Sequence, residues 1–193
     1  MVIGITGSIC AGKSLAVSRL RELGYADIDV DRLGHAALER EKTQVVARFG
    51  PGVLAPGGAV DRRTLGRMVF ADRAALRDLE GIVHPAMISE VERLVAAGSG
   101  RTVVNAAILF RMGLERLCDL VVCIDAPFLL RLARVMRRDR LGPFAAARRL
   151  LTQGPVLPKT VSRDVDIVNV SNCGSRERLF TLLEQSLRAK GAV

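Results

Sequence analysis

Residues 7–14 read Gly7-Ser8-Ile9-Cys10-Ala11-Gly12-Lys13-Ser14, a match to G-x-x-x-x-G-K-[ST]. Few folds can carry such a segment. Its backbone N–H groups must curl around a phosphate, and a helix N-terminus must point at the same anion. That requires a strand before the loop and a helix after it. Val2-Ile3-Gly4-Ile5-Thr6 is short and apolar, the pattern of a strand buried on both faces. Residues 14–23 carry Val17, Leu20 and Leu23 at helical spacing, with Gly24 as a C-cap. Gly7 and Gly12 supply backbone conformations that a side chain would hinder. Lys13 is expected to neutralise the β and γ phosphates of a nucleotide, and the Ser14 hydroxyl to ligate Mg²⁺.

Residues 25–30 read as a second strand running into Asp29-Val30-Asp31. Strand, loop, helix, strand is the start of a doubly wound α/β sheet, whose ligands bind at the carboxyl ends of its strands. Period-two alternation places Asp29 and Asp31 on one side. One of them would accept a proton from an attacking hydroxyl or hold Mg²⁺ through water; the other reading is that both cap the next helix. Asp27 reads as a solvated strand residue. Residues 32–97 are helical in pattern, with turns at Gly50-Pro51-Gly52 and Pro56-Gly57-Gly58. Asp61 is expected to cap a helix through Phe70, Asp72 a second through Ile82, and His84-Pro85 to open a third ending near Gly98. Strand patterns return at 102–106, 120–125 and 165–170. Helices are expected at 127–139, 145–153 and 175–190, the last with Leu179, Leu182, Leu183 and Leu187 inward.

The chain has 193 residues, 49% hydrophobic and 25% charged, which fits one domain and excludes a disordered chain. No run approaches the length of a membrane span, and the start lacks a basic leader, so a cytoplasmic protein is expected. Twenty-nine basic against 20 acidic side chains give +9, which favours anionic partners. With no Trp and 4% aromatics there is little to stack single-stranded nucleic acid on. The four cysteines form no C-x-x-C and read as reduced thiols rather than a zinc site or disulfide framework. Asp31-Arg32-Leu33-Gly34 matches the D-x-x-G of GTPases, but no N-K-x-D guanine reader exists in the chain. Between 131 and 140 arginines are too dense to pair internally; Arg134 and Arg138, at i and i+4, would present two guanidiniums to phosphates, or form part of a solvated basic face. His84 would touch an anionic substrate or close a turn.

These residues together resemble the dephospho-CoA kinase family. That family begins with a strand, a loop of the form G-G-I-G-S-G-K-S and a D-A-D after strand two, matched here by 7–14 and by Asp29-Val30-Asp31. Phe49-Gly50, Asp61-Arg62-Arg63, Leu65, Phe70, His84-Pro85, 134–139, Gln153 and Asn172-Cys173-Gly174-Ser175 continue the resemblance over nearly the whole chain. There are departures. Cys10 replaces a glycine, Ala107 a proline, Asn105 an acid, and Arg111 a glutamate.

The resemblance implies an α/β P-loop NTPase fold like that of nucleoside monophosphate kinases. Its five-stranded parallel sheet would carry helices on both faces. A single domain is expected, with its core in 1–31, 99–126 and 161–193, a helical coenzyme-binding insertion at 32–98 and a basic lid at 127–160. The implied reaction moves the ATP γ-phosphoryl to the ribose 3′-hydroxyl of dephospho-CoA, the last step of coenzyme A synthesis. Asp31 would be the base, with Lys13 and Arg138 stabilising the phosphoryl group. Gly7, Ser8, Ile9, Cys10, Ala11, Gly12, Lys13, Ser14, Leu15, Arg134, Asn172 and Gly174 would hold ATP, and Ser14 would hold Mg²⁺. Asp31, Arg62 and His84 would meet dephospho-CoA. No nucleic acid or membrane partner is expected, and the protein would be a monomer or weak homo-oligomer. The lost acids at 105 and 111 imply a higher Mg²⁺ requirement. Two alternatives are a P-loop kinase for another small hydroxyl substrate, such as a nucleoside monophosphate, and a basic nucleic-acid-binding protein.

Overall fold

The computed structural model describes residues 1–98, 100–152, 156 and 165–191. Five strands form one sheet in the order β2-β3-β1-β4-β5. They are β1 (Val2–Gly7), β2 (Ala26–Asp29), β3 (Thr102–Asn105), β4 (Leu120–Asp125) and β5 (Asp166–Ser171). β1 lies at the centre, parallel to β3 and β4, and β4 is parallel to β5. The register carries Gly7, Asn105, Asp125 and Ser171 to the carboxyl ends of their strands. β1 and β4 are buried along nearly their whole length, which is why they read as continuous apolar runs.

The chain divides into two compact units, Met1–Ile28 with Val95–Val193, and Asp29–Leu94. In the first, α1 (Lys13–Glu22) and α8 (Arg176–Ala189) pack on one face of the sheet. Leu20, Leu179, Leu183 and Leu187 meet Ile3, Ile5, Val122 and Ile124 there. Each such side chain, fully buried, contributes about 1.5–3 kcal/mol. The other face, around Gly4, is closed by Leu109, Cys118 and Val121. Two helices, α6 (Phe128–Asp139) and α7 (Pro143–Thr152), meet through Val135, Ala146 and Leu150. Gln153 lies outside the described residues.

The second unit holds α2 (Val30–Arg40), α3 (Lys42–Phe49), α4 (Arg62–Ala71) and most of α5 (Arg73–Ala97). Glu39 Oε1 accepts from Val60 N–H at 2.9 Å, and Lys42 Nζ donates to Gly58 O at 3.1 Å, so side chains of α2 and α3 tie down the turn before α4. Asp61 caps α4 as expected, accepting from Arg63 and Thr64 N–H groups.

Three readings from sequence need correction. The two helices expected on either side of His84 are one helix, with Pro85 inside it. Proline there costs about 3 kcal/mol. Val83, Met87 and Val91 are buried at a spacing of four residues on both sides of it, and their burial outweighs that cost. β2 does not reach Asp31: it stops at Asp29, whose carboxylate accepts from Arg32 N–H at 3.1 Å and caps α2. Asp29 and Asp31 therefore do not share one strand face. Asp27 is not solvated: its side chain is only 4% exposed and pairs with Arg21. Leu182 packs inward as expected, half-buried at the edge of the core.

Candidate active site

The loop between β1 and α1 takes its shape from two glycines. A Cβ on Gly7 would run into Ile124 O, and one on Gly12 into Asn172 Nδ2. Gly12 also has φ 112°, which disfavours any side chain. Cys10 is the exception, a non-glycine residue at φ 57°. Its side chain, with that of Ile9, packs against the Val135, Ala146 and Leu150 cluster of α6 and α7. That contact offsets the left-handed backbone where the family's loop has glycine.

A cleft of about 430 Å³ opens over this loop. It is lined by Gly7, Ser8, Ile9, Cys10, Gly12, Lys13, Ser14 and Leu15 from the loop and α1. Ala107, Arg134, Arg138, Arg149 and Asn172 complete it. Four cationic side chains face the cleft, and among the described residues no carboxylate lines it. Backbone N–H groups, a helix N-terminus and four cations form a phosphate site.

The wall is braced by hydrogen bonds. Asn172 Nδ2 donates to Ala11 O at 2.7 Å, and its backbone N–H donates to Asp125 O at 2.7 Å. Arg134 donates to Cys10 O, Ala11 O and Asn172 O at 3.2, 3.3 and 3.4 Å. Arg134 thus clamps the loop to the segment after β5 as well as bordering the cleft. Lys13 Nζ donates to Asn105 Oδ1 at the end of β3. Arg138 donates to Asp139 through Nε at 2.8 Å and Nη2 at 3.0 Å, and Arg149 Nη1 lies 3.1 Å from the same carboxylate. The Arg138 hydrogen bond holds the Asp139 carboxyl below the usual carboxylate range, and the same bond raises Arg138.

Of the residues expected to form the site, the structure gathers Lys13, Ser14, Arg134, Arg138 and Asn172 around this cleft. Ala11 is fully buried in the loop, where its carbonyl accepts from Asn172. Gly174 is not in the lining; it precedes α8, where a Cβ would come 2.9 Å from Arg178 Cδ. Asp31, Arg62 and His84 belong to the Asp29–Leu94 unit, in the first turn of α2, at the start of α4 and midway along α5. Two lining residues escaped the sequence reading. Ala107 carries no chemical signal. Arg149 lies on a helix that the sequence marks only by its pattern; the signal was its place between Ala146 and Leu150, which bury against α6.

The sequence pattern of the dephospho-CoA kinase family matches residues 1–174. The chain belongs to that family. A dephospho-CoA kinase of Anaeromyxobacter dehalogenans is 42% identical over 185 residues, covering 92% of this chain and 86% of that protein. One from Geobacillus kaustophilus is 35% identical over 196 residues, covering 96% of both. Among solved structures, dephospho-CoA kinase from Campylobacter jejuni superposes with a TM-score of 0.67 at 27% identity, covering 100% of this chain and 98% of that one. TT1252 from Thermus thermophilus superposes with a TM-score of 0.78 at 32% identity, covering 100% and 96%. As a dephospho-CoA kinase family member the chain is a P-loop kinase that phosphorylates dephospho-CoA in coenzyme A biosynthesis, with ATP as donor. Among the described residues no helix is long and apolar enough to cross a membrane.

Proposed function

We propose that the chain moves the γ-phosphoryl group of ATP to the ribose 3′-hydroxyl of dephospho-CoA, giving CoA and ADP. The observation that carries this reading is the cationic cleft over the glycine loop, free of carboxylates among its described lining residues, in a chain of this family. The loop N–H groups and the α1 N-terminus cradle the phosphates. Lys13 and Arg138 balance the charge that spreads onto the transferring group. Asn172 and Gly174 take the nucleotide side, and Arg62 and His84 the coenzyme side. Asp31 accepts the proton of the 3′-hydroxyl as its oxygen attacks phosphorus and the bond to ADP breaks.

Mg²⁺ fits the residues present. The cleft offers the Ser14 hydroxyl, and no cluster of three His, Cys, Asp or Glu side chains competes for a metal among the described residues. Ser14 would hold the ion together with phosphate oxygens and waters, as Mg²⁺ requires few protein ligands. Bound there, the ion neutralises phosphate charge. A donor of this kind fits a cytoplasmic setting.

The test is ADP release by the purified protein with and without dephospho-CoA, alongside a panel of nucleoside monophosphates. ADP and CoA formed in equal amounts, only with dephospho-CoA, is the expected result. Faster turnover of a nucleoside monophosphate, or no CoA at any Mg²⁺ concentration, overturns it.

A further inference from the structure

Asp139 is the last residue of α6, followed by Arg140 in the left-handed region at φ 54°. A carboxylate there faces the negative end of the helix dipole, so local helix energetics disfavour it. Its partners are Arg138 and Arg149, both of which line the phosphate cleft, while Asp139 does not. Arg138 is on α6 and Arg149 on α7, and two guanidiniums brought to one place repel each other unless an anion lies between them. The Asp139 side chain is 17% exposed, against 54% and 51% for the two arginines, so the carboxylate is held inside the pair rather than at its rim. It engages Nε and Nη2 of Arg138 and Nη1 of Arg149, and a guanidinium has five N–H donors. Among the described residues, donors are therefore left over on both side chains for a second anion.

We propose that Asp139 is a positioning residue, whose carboxylate holds Arg138 and Arg149 side by side so that their remaining N–H groups meet the phosphates of ATP. This rests on the kinase reading above. It also gives Arg149 a share in phosphate binding that the motif residues do not assign. Without the carboxylate the two cations separate and the site must order them anew at each turnover, which weakens stabilisation of the transferring group more than ground-state binding.

The experiment measures kcat, KM for ATP and melting temperature for the wild type, Asp139→Asn, Asp139→Glu, Arg138→Ala and Arg149→Ala, and for the Arg138→Ala/Arg149→Ala pair with and without Asp139→Asn. Asp139→Asn is expected to lower kcat about 10–100-fold and to raise KM for ATP by less. Its melting temperature should fall by only about 2–4 °C, because the lost pairing to the two arginines is partly offset by relief of the dipole conflict. Asp139→Glu should recover part of the loss. In the background lacking both arginines, Asp139→Asn should change nothing further. Wild-type kcat in Asp139→Asn while either single arginine variant is impaired overturns the proposal and leaves the kinase reading standing. So does a loss that Glu fails to relieve and that tracks a larger fall in melting temperature. Wild-type kcat in both single arginine variants removes the arginines from catalysis and the proposal with them. A wild-type protein that makes no CoA is the separate failure of the kinase reading.

Discussion

Asp31 and Cys10 show how much of a residue's role depends on its place rather than its type. Asp31 sits in the first turn of α2, where a carboxylate is favoured by the dipole. The capping that helix needs is done by Asp29, so Asp31 is not required for it. Asp31→Asn is expected to lower kcat by about 10²-fold or more, with KM for ATP little changed, in a steady-state assay of CoA formation. Unchanged turnover would remove Asp31 from proton transfer. Cys10 lines the cleft and is half-buried, whereas burial pushes the Cys118 thiol up to about 12 and Cys123 up to about 11. Alkylation under native conditions should therefore mark Cys10 and the exposed Cys173 and spare the other two, as read by peptide mass spectrometry. Modification of Cys10 should stop the kinase, and MgATP should protect it.

At the scale of elements, helix ends carry most of the legible chemistry. The Asp61 cap was readable because an acid directly before a helical pattern has few other uses. Thr64 donates to it through both hydroxyl and backbone N–H, and these bonds hold its carboxyl below the usual carboxylate range. A group depressed in the folded state stabilises the fold above its unfolded value and loses that contribution as pH falls through its folded value. Asp61→Ala should thus melt lower than the wild type at neutral pH, by about 2–4 °C. The two melting curves should converge as the pH is taken below the carboxylate range. A constant gap down to strong acid would show that the carboxylate is not the source. The interior of α5 was not legible. Pro85 is a proper sign for a break, and only the burial of Val83, Met87 and Val91 on both sides of it overrides that sign.

For the whole molecule, the sheet is held by leucines that come from opposite ends of the chain. Leu20 of α1 and Leu179, Leu183 and Leu187 of α8 close over β1 and β4. Leu183 is fully buried, and Leu183→Ala is expected to cost about 2–5 kcal/mol. That corresponds to a fall in melting temperature of about 5–15 °C. Calorimetry should show this, and saturating MgATP should recover part of it through binding linkage. A melting temperature within a degree of the wild type would mean that α8 docks loosely.

The loop from Gly7 to Ser14, the strand before it and the helix after it were determined by the sequence alone. Their signals are local: two glycines, a lysine and a serine at fixed spacing, and apolar residues at helical period. The doubly wound α/β class likewise follows from short apolar runs alternating with helices, whereas the order β2-β3-β1-β4-β5 is set only when the strands pair. Tertiary structure alone decided where side chains distant in sequence meet. Lys13 reaches Asn105, Asn172 reaches Ala11, and Asp139 joins an arginine of its own helix to Arg149 of the next. It also decided that Cys10 is tolerated at a positive φ, because the Val135 cluster that covers its side chain lies more than a hundred residues away in sequence. Spacing along a chain encodes backbone hydrogen bonds and helical or extended periodicity. It does not encode which side chains face each other once separate elements pack, and charge placement in this cleft depends on that packing.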